Sequence, residues 1–421
     1  MEERFIIKGG KQLKGTVEIG GYKNSAGPIL SAALLTQKPY QIDNLPLVED
    51  VFRMLELLQD MGVEIKWEGK RKVNIRAGSR VDPNKINPDL MSKTRISVLL
   101  IGALLSRFKH FKIARPGGDR IGLRPIFTHL QALQDLGVKF SEKDNFYYFK
   151  RKEILGREVI LKEFSVTATE NLLLSTVMSQ GKTIIKGAAC EPQAQDLAQF
   201  LKEMGAKIQG EGTHTIKIEG VKKLHGALHK IIPDPSEAGT FIAAGAICPG
   251  KILVKNVIPE HLDLFLDKIK EMGVKFKKGK NFVEVYYSPN LCPVKIQALP
   301  YPGFPTDLLP VVLPLLTQAP GKSLVHDPLY ENRLNYTQEL RKMGADIEIV
   351  DPHRAIIFGK TPLAGVKIES WDIRAGASLV VAGLLAQGQT TIENIYQIDR
   401  GYEKIEEKLQ KLGADIKRVN L

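Results

Sequence analysis

Six short segments of this chain end alike, and their spacing limits what it can become. They are Leu58-Gln59-Asp60-Met61-Gly62-Val63, Leu133-Gln134-Asp135-Leu136-Gly137-Val138, Leu201-Lys202-Glu203-Met204-Gly205-Ala206, Ile269-Lys270-Glu271-Met272-Gly273-Val274, Leu340-Arg341-Lys342-Met343-Gly344-Ala345 and Leu409-Gln410-Lys411-Leu412-Gly413-Ala414. The glycines at 62, 137, 205, 273, 344 and 413 leave intervals of 75, 68, 68, 71 and 69 residues. A repeat of that length is a supersecondary unit copied along the chain. Before the first glycine, Val48, Val51, Phe52, Leu55 and Leu58 recur at helical spacing. The glycine then stands where a left-handed residue closes a helix. After it, Val63, Ile65 and Trp67 alternate with charged residues, as in a half-buried strand.

A second mark lies between these helix ends. Small and branched residues run from Leu172 to Gln180, Phe241 to Cys248 and Leu379 to Gln387, each closed by a turn and a new strand. Helices apolar on every side are buried, so each unit is predicted to place one inside and to leave its charged helix and sheet outside. Six such units form two groups of three, and Ile231-Ile232-Pro233-Asp234-Pro235-Ser236, near the midpoint, is the expected crossover. A cleft between two lobes is the default ligand site. Gly181-Lys182-Thr183 is not a phosphate loop, because Thr176 stands where that motif needs glycine.

Sixty Lys+Arg against forty-seven Asp+Glu give a net charge of +13, which attracts anions. The lysines are scattered; the densest run, Lys275-Phe276-Lys277-Lys278-Gly279-Lys280, reads as a solvated hairpin turn rather than a nucleic-acid stripe. Cys190, Cys248 and Cys292 lie far apart without CxxC spacing, which argues against disulfides and zinc. The charged start, Met1-Glu2-Glu3-Arg4-Phe5-Ile6-Ile7-Lys8, lacks a secretory pattern, and no apolar run reaches membrane-spanning length, so a cytoplasmic protein with no membrane partner is expected.

The most unusual stretch is Ala114-Arg115-Pro116-Gly117-Gly118-Asp119-Arg120-Ile121-Gly122-Leu123-Arg124. Three arginines, a carboxylate and three glycines suit a hinged loop over an anionic ligand better than a core segment, although an ordinary solvated connection has the same composition.

With these features the chain resembles the enolpyruvyl transferases, and most closely the branch acting on UDP-N-acetylglucosamine. The resemblance runs from Phe5 to Ile416 and rests on Gly20-Gly21-Tyr22-Lys23-Asn24-Ser25-Ala26, Lys93-Thr94-Arg95, Pro116-Gly117-Gly118 and Ile121-Gly122-Leu123-Arg124-Pro125. It continues through Ser165-Val166, Ala168-Thr169-Glu170-Asn171, Phe304-Pro305-Thr306-Asp307, Glu331-Asn332-Arg333, Asp372-Ile373-Arg374-Ala375 and Ile398-Asp399-Arg400-Gly401-Tyr402-Glu403. It implies an α/β fold of two inside-out barrel domains built from six βαβαββ units, three per domain. One lobe is expected over 23–232, carrying the mobile loop 114–124, and the other over 1–22 plus 233–421.

The resemblance implies transfer of the enolpyruvyl group of phosphoenolpyruvate to the 3-hydroxyl of UDP-N-acetylglucosamine with release of phosphate, the first committed step toward peptidoglycan, without cofactor or metal. Lys23, Arg124 and Arg400 are the implied phosphoenolpyruvate clamp; bidentate arginines suit a ligand bearing both phosphate and carboxylate. Asn24, Arg95, Arg124, Pro125, Ser165, Val166, Asp307, Leu329 and Arg333 are implied at the sugar nucleotide, with Asp372 and Arg374 in support. Asp307 is the implied base or orienting partner of the attacking hydroxyl, so Lys23, Asp119, Asp307 and Arg400 form the catalytic set.

Several positions depart from the pattern. Asp119 stands where many members carry cysteine; a carboxyl with an ordinary pKa of about 4 does not arrive protonated at neutral pH, as a thiol of about 8.5 does. Closure of the loop and bound anions raise the carboxyl's pKa, while Arg115 and Arg120 lower it. Pro235 and Cys190 replace arginines, and Thr167 replaces a common glycine. Pro235 and Cys190 motivate a second reading, a non-catalytic UDP-sugar-binding regulatory paralogue. A third, 5-enolpyruvylshikimate-3-phosphate synthase, lacks its Ser-Lys-Ser and Asn-Ala-Gly-Thr segments here.

Overall fold

The computed structural model describes residues 3–118, 121–122 and 125–420. All six repeat glycines take left-handed φ values, from 85° to 104°. Each closes its helix with the same two hydrogen bonds. After the helix Glu49–Asp60, the Gly62 N–H donates to the Gln59 carbonyl at 2.8 Å and the Val63 N–H to that of Leu58 at 3.0 Å. After the helix Ile405–Lys411, Gly413 donates to Gln410 at 2.9 Å and Ala414 to Leu409 at 3.0 Å. This Schellman pairing satisfies carbonyls that a helix end leaves open, and a side chain at the glycine would be strained there.

The chain divides into two compact units, one of Met1–Gly20, Arg120–Leu123 and Pro233–Leu421, the other of Gly21–Asp119 and Arg124–Ile232. Each has its own apolar core, one including Phe241, Phe265 and Leu379, the other Leu57, Leu104 and Phe200. In the first unit, the helices Pro235–Ile247, Leu309–Leu316 and Ile373–Leu385 pack on one another. They are buried almost throughout, as their small and branched residues require. In the second unit the inner helices are Lys23–Ser31, Leu100–Arg107 and Val166–Thr176. Gly102 allows the last two to approach, since a Cβ there would stand 2.4 Å from the Asn171 carbonyl oxygen. Asn171 then ties them, accepting from Gly102 N–H at 2.7 Å and donating to the Val98 carbonyl at 3.2 Å.

Among the described residues, three sheets flank the helices of each unit. Five share one order: a parallel edge pair, then two antiparallel neighbours. Thus Lys295–Gln297 runs parallel to Gly321–His326, which pairs antiparallel with Arg354–Gly359 and that with Asp346–Asp351. The strand Glu3–Lys8 lies between Gln389–Glu393 and Asp415–Asn420, and Leu13–Glu18 runs parallel to Gly250–Lys255.

The sixth sheet, of His110–Ala114, Phe146–Lys150 and Lys139–Lys143, has three strands among the described residues, where six equal units call for four. The turn Pro83–Lys85 packs beside His110–Ala114 instead. Pro83 cannot donate to a ladder, and Asp82 accepts from Asn84 N–H at 2.9 Å, so this segment is capped as a turn. Among the described residues no helix is long and apolar enough to cross a membrane.

Candidate active site

In both units several of the residues singled out from the sequence lie where inner helices begin: Lys23 and Ser165 in one, Asp307 and Asp372 in the other. Helix N-termini present open N–H groups and a positive dipole end, which suit anions.

In the unit containing 233–420, Arg333 is the centre. It is only 2% exposed, an unusual place for a charge. Its Nη2 donates to Asp307 Oδ1 at 2.6 Å and its Nε to Thr306 Oγ1 at 3.2 Å, while Asp327 and Asp372 each lie 3.9 Å away. Burial works against the guanidinium charge, but Asp307, Asp372 and Asp327 outweigh it and raise the pKa above the ordinary value. Asp307, half-buried, is shared: its Oδ2 accepts from Arg374 Nε at 3.1 Å. Two guanidinium groups thus fix the plane of one carboxylate, each bonded to a different oxygen.

Asp372 caps the helix Ile373–Leu385, accepting from the N–H groups of Arg374 at 2.8 Å and Ala375 at 3.0 Å. The Arg374 guanidinium lies over the Tyr402 ring at 5.3 Å, and the Tyr402 hydroxyl meets Thr240 Oγ1 at 2.9 Å. Asp327 takes the Thr306 hydroxyl and the Leu329 N–H, the latter at 2.9 Å; the Leu329 side chain is exposed. Arg400 is buried at the end of the short helix Tyr396–Asp399, with Nη1 on Gln397 Oε1 at 2.9 Å. Pro235 opens the helix Pro235–Ile247, where its missing N–H costs nothing, behind the cap Asp234. Burial pushes the Asp234 carboxyl up to about 6, against Arg374 and with Glu237. Within this same unit, Ile121 accepts from Asn332 N–H at 3.2 Å, and the Glu331 carboxylate occupies the space a Cβ on Gly122 would need.

In the unit containing 21–118, Lys23 opens its helix and is buried, its Nζ 2.8 Å from Asp50 Oδ2. Asn24 Nδ2 donates to the Tyr22 hydroxyl at 3.1 Å, and Arg95 Nη2 to the Pro125 carbonyl at 3.3 Å. Ser165 caps the helix Val166–Thr176, accepting from Ala168 N–H at 3.3 Å, and Val166 is its first residue. Thr167 Oγ1 lies 2.8 Å from His129 Nε2, and burial, helped by Arg95, pushes His129 down to about 3, so its ring is neutral.

The Cys190 Sγ lies 3.2 Å from His214 Nδ1. That nitrogen also lies 2.9 Å from the Ala188 carbonyl, to which it donates, so it cannot take the thiol proton. Burial, and then Glu191, raise the Cys190 pKa. This is a shielded thiol rather than a nucleophile.

Asp119 and Arg124 lie outside the described residues. Asp50, Asp327 and Thr306 were not assigned roles from the sequence. Asp50 stands in the acidic first turn of Glu49–Asp60, a signal that first-turn helix chemistry explains equally well.

Residues 7–409 match the EPSP synthase (3-phosphoshikimate 1-carboxyvinyltransferase) family. The chain is 43% identical over 421 residues to a UDP-N-acetylglucosamine 1-carboxyvinyltransferase of Koribacter versatilis, covering 99% of this chain and 96% of that one. It is 43% identical over 418 residues to UDP-N-acetylglucosamine 1-carboxyvinyltransferase 1 of Carboxydothermus hydrogenoformans, covering 99% of both. Among solved structures, the enolpyruvyl transferase NikO from Streptomyces tendae superposes with a TM-score of 0.91 at 25% identity, over 100% of this chain and 99% of that one. An EPSP synthase from Acinetobacter baumannii shares the fold at a TM-score of 0.75 and 19% identity, over 100% of both chains.

Proposed function

Because this chain belongs to the enolpyruvyl transferase family, and within it to the UDP-N-acetylglucosamine 1-carboxyvinyltransferases, we propose that it transfers the enolpyruvyl group of phosphoenolpyruvate to the 3-hydroxyl of UDP-N-acetylglucosamine. Whole-length identity to relatives of that name carries the reading, and the buried Arg333–Asp307–Arg374 array supports it.

The chemistry has two stages. The sugar oxygen bonds to C2 of phosphoenolpyruvate as its hydroxyl proton passes to Asp307 and C3 gains a proton; then C3 loses a proton and the C2–O bond to phosphate breaks, releasing phosphate. Lys23, Arg124 and Arg400 neutralise the phosphate and carboxylate, with Arg400 and Lys23 each buried, where a charge acts more strongly than in water. Asp307, held in plane by two arginines, accepts the hydrogen bond of the attacking hydroxyl and orients it. Asn24, Arg95, Pro125, Ser165, Val166, Leu329 and Arg333 contact the sugar nucleotide, and Asp372 and Arg374 hold the array in place.

Asp119 is the proton donor to C3. A carboxylate is a far poorer nucleophile than a thiol toward the epoxide fosfomycin, which alkylates the loop cysteine of related enzymes, so the protein resists that drug. Phosphate release requiring both substrates tests the main reading; stabilisation by UDP-N-acetylglucosamine without turnover overturns it in favour of a binding paralogue. Asp119→Asn is expected to abolish turnover, and normal turnover removes Asp119 as the acid. Intact mass after fosfomycin treatment is expected to be unchanged in the wild type and to show one adduct in Asp119→Cys.

A further inference from the structure

The helix that begins at Lys23 has no side-chain cap: Tyr22 occupies the capping position and makes no cap bond. Its first turn is anchored elsewhere. The Ser25 hydroxyl donates to Asp196 Oδ2, which also accepts the Ile232 N–H at 3.4 Å. Ile232 in turn accepts the Tyr22 N–H at 2.8 Å. Both of these contacts lead to one carboxylate.

Asp196 is held on its other side by His229, which is buried on the strand Leu228–Lys230. His229 Nε2 lies 3.2 Å from Asp196 Oδ1, and its Nδ1 lies 2.9 Å from Glu203 Oε2. A neutral imidazole has one N–H, so it would turn a lone pair toward one of these carboxylates; only the imidazolium donates to both. The helix Pro192–Glu203 supplies both carboxylates and the Phe200 ring, 5.2 Å from the imidazole. The parallel strand Tyr40–Asp43 supplies Tyr40, whose buried phenol stays neutral, and Asp43, whose carboxylate is turned to its own Asn44 N–H. The helix Lys23–Ser31 supplies Lys23, already on Asp50, and Ser25. Among the described residues, no second cation is paired with Asp196 or His229.

We propose that His229 is a positioning residue: as an imidazolium bridging Asp196 and Glu203 it fixes the carboxylate that anchors the start of the Lys23 helix, and loss of its proton loosens the lysine's hold on phosphoenolpyruvate. The kinetic part rests on the placement of Lys23 at phosphoenolpyruvate; the bridge itself does not. Burial lowers the His229 pKa, but Asp196 and then Glu203 outweigh it, and the value lies above the ordinary 6.5.

Two measurements on the full chain decide it. Ring-nitrogen NMR of histidine-labelled wild type, assigned with His229→Gln, is expected to show both His229 nitrogens protonated at neutral pH, with a single titration step above 6.5. In steady-state kinetics the wild-type KM for phosphoenolpyruvate is expected to rise about tenfold across that step, the size of one charge-assisted hydrogen bond, with kcat changing much less. His229→Gln should show the raised KM at every pH and no step, and Glu203→Gln should move the step to lower pH. A single N–H on His229 at neutral pH, or a wild-type KM that stays flat across the step, overturns the proposal. Lys23→Met with an unchanged KM would instead remove Lys23 from phosphoenolpyruvate, leaving the bridge to be judged by NMR.

Discussion

The two units repeat one architecture three times each but tie their helix starts differently. In the unit built around 233–420, Asp307, Arg333, Arg374, Asp372 and Asp327 form one buried, cross-braced array, with Tyr402 and Thr240 against it. In the unit built around 21–118, the helix starts are tied by Lys23 on Asp50, Asn24 on Tyr22 and Arg95 on a backbone carbonyl. A cross-braced array holds its groups in one geometry before any ligand arrives, at the cost of desolvating several charges. A single pair such as that of Lys23 leaves its ammonium able to exchange one partner for a ligand. The same repeat therefore carries a cluster of four carboxylate and two guanidinium groups in one unit and a lysine–aspartate pair in the other.

Arg333→Met is the severest challenge to that contrast. It leaves Asp307, Asp327 and Asp372 together without their shared cation, and a buried charge left unpaired costs roughly 3–5 kcal/mol. Urea unfolding should show a loss of that size along with loss of turnover; a loss under about 1 kcal/mol would mean the array is not cross-braced. Lys23→Met removes one ion pair, to Asp50, so its stability loss should be smaller than that of Arg333→Met, with turnover falling further than stability explains.

The second test uses pH. Asp234, at the edge of the braced array, is raised from 3.8 to about 6, chiefly by burial. A folded pKa above the unfolded one means the folded state binds the extra proton. The resulting stability is fully present below 3.8 and is lost as pH rises through about 6. Asp234→Asn keeps a capping oxygen without the charge, so relative to wild type it should gain stability across that window, by up to about 3 kcal/mol. Denaturation at several pH values reads it. A difference independent of pH would mean that Asp234 is not penalised by burial.

How much of this was legible in the sequence depends on how local each feature is. The six helix ends were, because a Schellman close is contained within six consecutive residues around one glycine. The buried helices were, because their composition has no polar face. Partners were not: Asp50 is 27 residues from Lys23, Asp196 is 33 from His229, and Cys190 is 24 from His214. Residue type says that a buried lysine needs a carboxylate, but only the tertiary fold selects which one. The missing fourth strand in one sheet was readable in principle, since Asp82-Pro83-Asn84 is a turn signal, but the regular repeat argued the other way.

The smallest expected effect isolates the feature the two units share. At Gly137 an added Cβ would meet nothing within 4 Å, so Gly137→Ala reports only the cost of φ at +85°, about 1 kcal/mol. At Gly413, in the other unit, φ is +104° and the Cβ would also stand 2.8 Å from the Gln12 carbonyl oxygen, a fixed backbone atom. Gly413→Ala should therefore destabilise by more than Gly137→Ala, although both close their helices with the same pair of bonds. Equal losses in thermal unfolding would mean that the strand start near Gln12 gives way, and that the helix end is set by the backbone turn alone.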